Sequence, residues 1–98
     1  MDCLCDFSMP PKTVDSVLDY QFDWRQWLQA DEDIEGIPVI TANGLTINPS
    51  PNQTTVIDNV VTFWLADGVA GMTINVVCEI VTNQGRTMEA GFSLDIIP

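Results

Sequence analysis

Apolar and polar residues alternate through the final stretch of the chain. Met72, Ile74, Val76, Cys78 and Ile80 take every second position against Thr73, Asn75, Val77, Glu79 and Val81. After Asn83-Gln84-Gly85 the alternation resumes with Met88, Ala90, Phe92, Leu94 and Ile96. Period two over this length predicts two strands, each with one buried face. A short loop ending in Gly predicts a type I turn closed by a left-handed glycine bulge, which pairs Thr82 with Arg86. In that register Ile80 faces Met88, Cys78 faces Ala90, Val76 faces Phe92 and Ile74 faces Leu94. Both apolar sets then share one face, and a slip of one residue would turn one set to solvent.

Upstream, Leu18, Tyr20, Phe22 and Trp24 alternate with Val17, Asp19, Gln21 and Asp23, which predicts a first strand with an aromatic face. Arg25 to Leu28 turns the chain, and an acidic loop runs from Asp31 to Gly36. Short strands are predicted at Ile37–Thr41, Leu45–Asn48 and Thr54–Ile57, divided by Asn43-Gly44 and by the loop Pro49–Gln53. Val60–Leu65 is a further strand, followed by a Gly-rich loop into the hairpin. About seven short strands at regular spacing, with few helical signals, predict an all-β chain. The expected architecture is a β-sandwich of immunoglobulin or fibronectin type III kind. Residues 1–13 form an N-terminal arm broken by Pro10-Pro11, and residues 14–98 form one domain.

A chain of 98 residues is long enough for one core, burying roughly 60–65% of the surface of the unfolded chain. Its charge narrows the functions open to it. Fourteen acidic residues stand against Lys12, Arg25 and Arg86, with no His, for a net charge of −11. Nucleic-acid and anionic-membrane binding rest on clustered Lys and Arg, so neither is expected. Asp2 and Asp6 stand where a secretory leader would carry positive charge, and no apolar stretch reaches the length of a membrane span. Cys3 and Cys5 lie in the arm and Cys78 lies in the buried set of a strand, so a reduced chain without a disulfide framework is expected.

Without His, no Ser-His or Cys-His pair is available, and no catalytic residue is assigned. Cofactors are not expected either. Asp31, Asp33, Glu35 and Gly36 match the first ligand positions of a calcium loop, but Ala42 stands where its bidentate Glu belongs and Pro38 interrupts it. A solvated acidic loop is the expectation, with calcium as its alternative. The candidate partner contacts are Trp27, just past a strand end, and Trp64, out of phase with Val61, Phe63 and Leu65. Leu4, Phe7 and Met9 join them, being too apolar for a free tail and too few to fold alone. Arg86 at the hairpin tip is either a solubilising turn charge, the favoured reading, or a further contact.

Several segments in this order resemble a known family: VLDYQFDWRQWL at 17–28, GLTI at 44–47, VVTFWLADGVAGMTINVVCEIVTNQGRT at 60–87 and FSLDI at 92–96. The family is that of bacteriophage fiber-tail adaptor proteins, small virion proteins. The resembling positions are Asp19-Tyr20, Trp27-Leu28, Trp64-Leu65, Gly68, Gly71 and Gly85-Arg86-Thr87, and the likeness runs over about residues 15 to 97. The resemblance implies an immunoglobulin-like, non-enzymatic connector of a tailed-phage particle, made in the host cytoplasm. Its implied partners are other virion proteins of the tail, neck, fibre or capsid, with multiple copies or a homo-oligomer in the particle. A capsid decoration or head-fibre protein of the same fold is the nearest alternative. A carbohydrate-binding module stacking sugars on Trp27 and Trp64 is an alternative of another class.

Overall fold

The computed structural model of the chain describes residues 7, 8 and 10–98. The chain is all-β, with no helix among the described residues. Its strands are β1 (Phe7–Ser8), β2 (Lys12–Thr13), β3 (Leu18–Asp23), β4 (Ile34–Ala42), β5 (Thr46–Ile47), β6 (Thr55–Ile57), β7 (Val60–Ala66), β8 (Thr73–Thr82) and β9 (Thr87–Ile97). They form a five-stranded sheet in the order β1-β9-β8-β4, with β2 also on β9, and a four-stranded sheet in the order β3-β7-β5, with β6 also on β7.

The β8–β9 hairpin has the register that its alternation predicts. Ile74 pairs with Leu94, Val76 with Phe92, Cys78 with Ala90 and Ile80 with Met88. At its tip the Thr82 N–H donates to the Arg86 carbonyl (2.9 Å) and the Gly85 N–H to the Thr82 carbonyl (3.0 Å). Gly85 has a φ of 81°, the left-handed bulge position that glycine takes without a Cβ penalty. A second tight hairpin joins β6 to β7 through Asp58 and Asn59, both at positive φ, as a two-residue type I′ turn demands.

The even-numbered hairpin residues meet Tyr20 and Phe22 of β3 and Val61, Phe63 and Leu65 of β7 in one core. Phe92 crosses between the sheets, its ring centroid 5.5 Å from both Tyr20 and Phe22 and 6.4 Å from Phe63. Aromatic rings bring large apolar area at few rotatable bonds, so four of them close a narrow inter-sheet space efficiently. Trp24 continues the β3 set into the core. Leu18, predicted to belong to that set, is 40% exposed at the first position of β3. Among the described residues the Tyr20 Oη has no hydrogen-bond partner, and the Trp24 Nε1 has none beyond the Cys78 thiol. Burial accordingly pushes the Tyr20 phenol above its ordinary pKa.

Two elements differ from expectation. The strand predicted at Ile37 starts at Ile34, and Gly36 lies inside it rather than closing a loop. The pairing with β8 shifts between Glu35 and Val39, and Gly36 at φ 76° and Pro38 occupy the bulge. The first residues are also strand-forming. β1 and β2 run parallel to β9, with Phe7 beside Phe92 and Lys12 beside Ile96, so the segment around Pro10-Pro11 borders the sheet in two short pieces. Lys12 is fully buried and its Nζ donates to the carbonyls of Thr13 (2.8 Å) and Asp67 (2.7 Å). Burial holds its amine below the usual lysine range, and the two carbonyls compensate for the water it gives up.

Replacing Phe63, fully buried at the centre of this layer, is expected to separate packing from polarity. Phe63→Ala should lower unfolding stability by about 3–5 kcal/mol in urea titrations, and a loss under about 1 kcal/mol would refute a shared core. Tyr20→Phe, which removes a hydroxyl without a partner, should leave stability unchanged or raised in the same titrations.

Candidate functional site

Three loops meet at the end of the molecule that carries the hairpin tip. After β3 the chain makes one tight turn, in which the N–H groups of Trp27 and Leu28 both donate to the Trp24 carbonyl (2.9 and 3.2 Å). This turn lays Trp27 and Leu28 against the core. Glu32 then folds inward. Its N–H donates to the Gln29 carbonyl (3.0 Å), and its carboxylate accepts from the Gln29 N–H (2.9 Å), the Thr82 hydroxyl (2.6 Å) and Arg86 Nη1 (3.0 Å). The Glu32 side chain is wholly covered, while that of Arg86 stays 39% exposed. The next residue, Asp33, exchanges backbone and side-chain bonds with Asn83, and Asn59 bridges Asp33 to the Ile34 N–H.

The Gln29 N–H, then the Thr82 hydroxyl, and to a smaller degree Arg86 hold the Glu32 carboxyl below its ordinary value, against the opposing effect of burial. Arg86 is therefore a partner of the chain's own acidic loop, and its guanidinium also reaches Met88 Sδ (3.2 Å). Arg25 is similarly engaged, with its Nη2 2.7 Å from Asp23. That exposed contact holds the Asp23 carboxyl down to about 2, chiefly through the Arg25 side-chain hydrogen bond.

The calcium-type residues do not converge. Asp31 sits exposed at a turn, Asp33 bonds Asn59 and Glu35 lies in β4 opposite Val81, and the described residues contain no metal-holding group of three such side chains. Glu32, the residue between the expected ligands, turns inward instead. The signal for it lay in Thr82, whose even number puts a hydroxyl on the buried face of β8, where it needs a polar partner. Nothing in the sequence distinguished Lys12 from a tail residue, since its two acceptors are backbone carbonyls.

Trp64 is half-buried on β7 opposite Asp19, with its backbone bonded on both sides by Asn48 (2.8 and 3.0 Å). Trp27 is half-buried and packs on the core. Cys78 is fully buried, and burial pushes its thiol up to about 12, far from nucleophilic use. Phe7 is placed by its backbone pairing with Phe92. Leu4, Met9, Cys3 and Cys5 lie outside the described residues.

The inward carboxylate predicts a specific pH dependence. A carboxyl held low in the fold contributes stability above its unfolded value, near 4.5, and loses it as pH falls through the lower folded value. Glu32→Gln should therefore melt several degrees below the parent chain at pH 7. The gap should narrow as pH falls below about 4.5. A gap that is constant from pH 7 to 3 in calorimetry would rule out the ionised carboxylate as its cause.

No curated protein matches the chain. A family model described as Podophage GP4 fiber-tail adaptor protein gp77 matches residues 12–95, from the buried lysine of β2 to the closing strand. With most of its length matched, and with its acidic turn, Trp64-Leu65 strand and closing hairpin in that order, the chain belongs to the podophage GP4 fiber-tail adaptor family.

Proposed function

We propose that the protein is a non-enzymatic structural connector of the virion, present in several copies, that attaches fibres or accessory proteins to the tail, neck or capsid. The match to the adaptor family over residues 12–95 carries this reading. Its fold is of immunoglobulin kind. Supporting that, β4, β8 and β9 pair in one sheet and β3 and β7 in the other, while the first strands run parallel to the last, an arrangement familiar from such domains. The hairpin and the three-loop clamp serve as a rigid body, and docking falls to what they leave uncovered. Ile37 on the free edge of β4 is 75% exposed and Ile57 on β6 is 73% exposed. Trp64 and the apolar arm residues Leu4, Phe7 and Met9 complete the proposed contacts, whereas Trp27 and Arg86 are committed within the chain. Several weak contacts per copy, multiplied over many copies, give avidity without a large single interface.

The test is location in the particle. The tagged chain, incubated with particles lacking it and imaged by cryo-electron microscopy, should add density between fibre and tail. Density over the capsid shell would favour a decoration protein instead. A chain that never sediments with particles would defeat both readings. Removing residues 1–9 takes away the two-residue β1 but spares the Lys12 anchor of β2, so it should lower the melting temperature only slightly and reduce co-sedimentation. Undiminished co-sedimentation would take the arm out of the docking surface.

A further inference from the structure

On the outward face of the five-stranded sheet, two cross-strand rows lie side by side. Val77 pairs with Gly91 in one row, and Glu79 pairs with Glu89 in the next. β4 extends the second row with Val39, and Glu35 lies beside Val81 on the same face. Val39 is 58% exposed and Val81 is 45% exposed. Close backbone approach demands glycine at 91, since a Cβ there would stand 2.7 Å from the Val76 carbonyl oxygen. Beside it lies a hollow of about 250 Å³ lined by Asn75, Val77 and Gly91 among others.

Two glutamates directly opposed on neighbouring strands repel each other and weaken the sheet. None of the three Lys and Arg side chains is placed against them. Arg25 is bonded to Asp23, Arg86 to Glu32, and Lys12 is buried against two carbonyls. With a net charge of −11 and all three basic side chains engaged, a lysine or arginine that complements this face comes from another molecule. A divalent ion does not suit it, since the described residues hold no cluster of three ligands and calcium needs six or more oxygens. Nucleic acid is excluded by its own charge. The hollow and the carboxylate pair are one row apart, roughly 7 Å by strand rise, which an extended lysine or arginine side chain spans. Its aliphatic stem would lie over Val77 and Gly91 and its cation between Glu79 and Glu89, while apolar neighbours cover Val39 and Val81.

We propose that this face docks an extended, lysine- or arginine-bearing polypeptide segment of another virion protein, seated over Gly91 and held by Glu79 and Glu89. The proposal rests on the adaptor reading and gives that adaptor a partner of defined chemistry.

The probe is a peptide of alternating valine and lysine, titrated into the full-length chain by calorimetry. Glu79→Gln/Glu89→Gln is compared with the charge-matched pair Asp31→Asn/Asp58→Asn, both exposed turn positions at positive φ, which Asn tolerates. The glutamate pair should weaken peptide binding by about tenfold or more, and the aspartate pair by less than about threefold. Its melting temperature should be equal to or above that of the parent, because a repulsion is removed. Equal weakening in both pairs, or none in the glutamate pair, would overturn the proposal by assigning the attraction to net charge or to another face. With intact particles the two readings separate. If the parent chain fails to join particles, the adaptor reading fails whatever the peptide shows. If the parent joins and the glutamate variant joins equally well, only the basic-segment proposal fails.

Discussion

Pairing of Val76 with Phe92 is the contact on which the other parts of the molecule depend. It sets the even-numbered residues of β8 and β9 on one face, and Phe92 from that face reaches Tyr20, Phe22 and Phe63 of the opposite sheet. Were the hairpin to slip by one residue, Thr, Asn and Glu would replace that surface, and β3 and β7 would have nothing apolar to cover. The register is set by a five-residue tip. Thr82 and Arg86 close it, Gly85 takes the left-handed turn, and the Thr82 hydroxyl accepts from the N–H groups of Gln84 and Arg86 (both 3.3 Å). A local turn thus decides a global packing arrangement.

That same Thr82 hydroxyl donates to Glu32, and the link couples the hairpin to the loop after β3. The sheets are therefore joined twice, by aromatic packing in the middle and by a polar clamp at the end. The two joints respond to different conditions. Apolar packing is insensitive to pH, whereas the clamp depends on an ionised carboxylate. Side-chain hydroxyl and carboxylate groups in such a position also specify geometry, because each unsatisfied partner is penalised once water is excluded.

The hairpin was legible from sequence because its information is local: period two, a turn of defined chemistry, and two matching apolar sets. The strand with Phe63 and the aromatic alternation of β3 were legible for the same reason. The start of β4 was not, since Gly36 and Pro38 read as punctuation and only pairing with β8 turns them into a bulge. β1 and β2 were hidden because two-residue strands have no periodicity, and it is β9 that gives them their conformation. Among the candidate contacts, charge type alone could not separate Glu32 from Asp31 and Asp33. Their roles diverge through tertiary neighbours, Thr82 and Arg86, some fifty residues away in the chain.

The distribution of charge gives the fold a direction. Each basic residue is used within the chain: Lys12 to fasten β2, Arg25 to hold Asp23, and Arg86 to close the clamp. What remains outward is carboxylate, set among exposed valines and isoleucines. Such a surface repels copies of itself through charge, so contact between copies has to be apolar or made through backbone edges. A basic neighbour, by contrast, gains on approach and loses nothing to competition from internal cations. Opposed glutamates at 79 and 89 weaken the free chain slightly, and relief of that repulsion adds to the affinity for whichever partner supplies the missing charge.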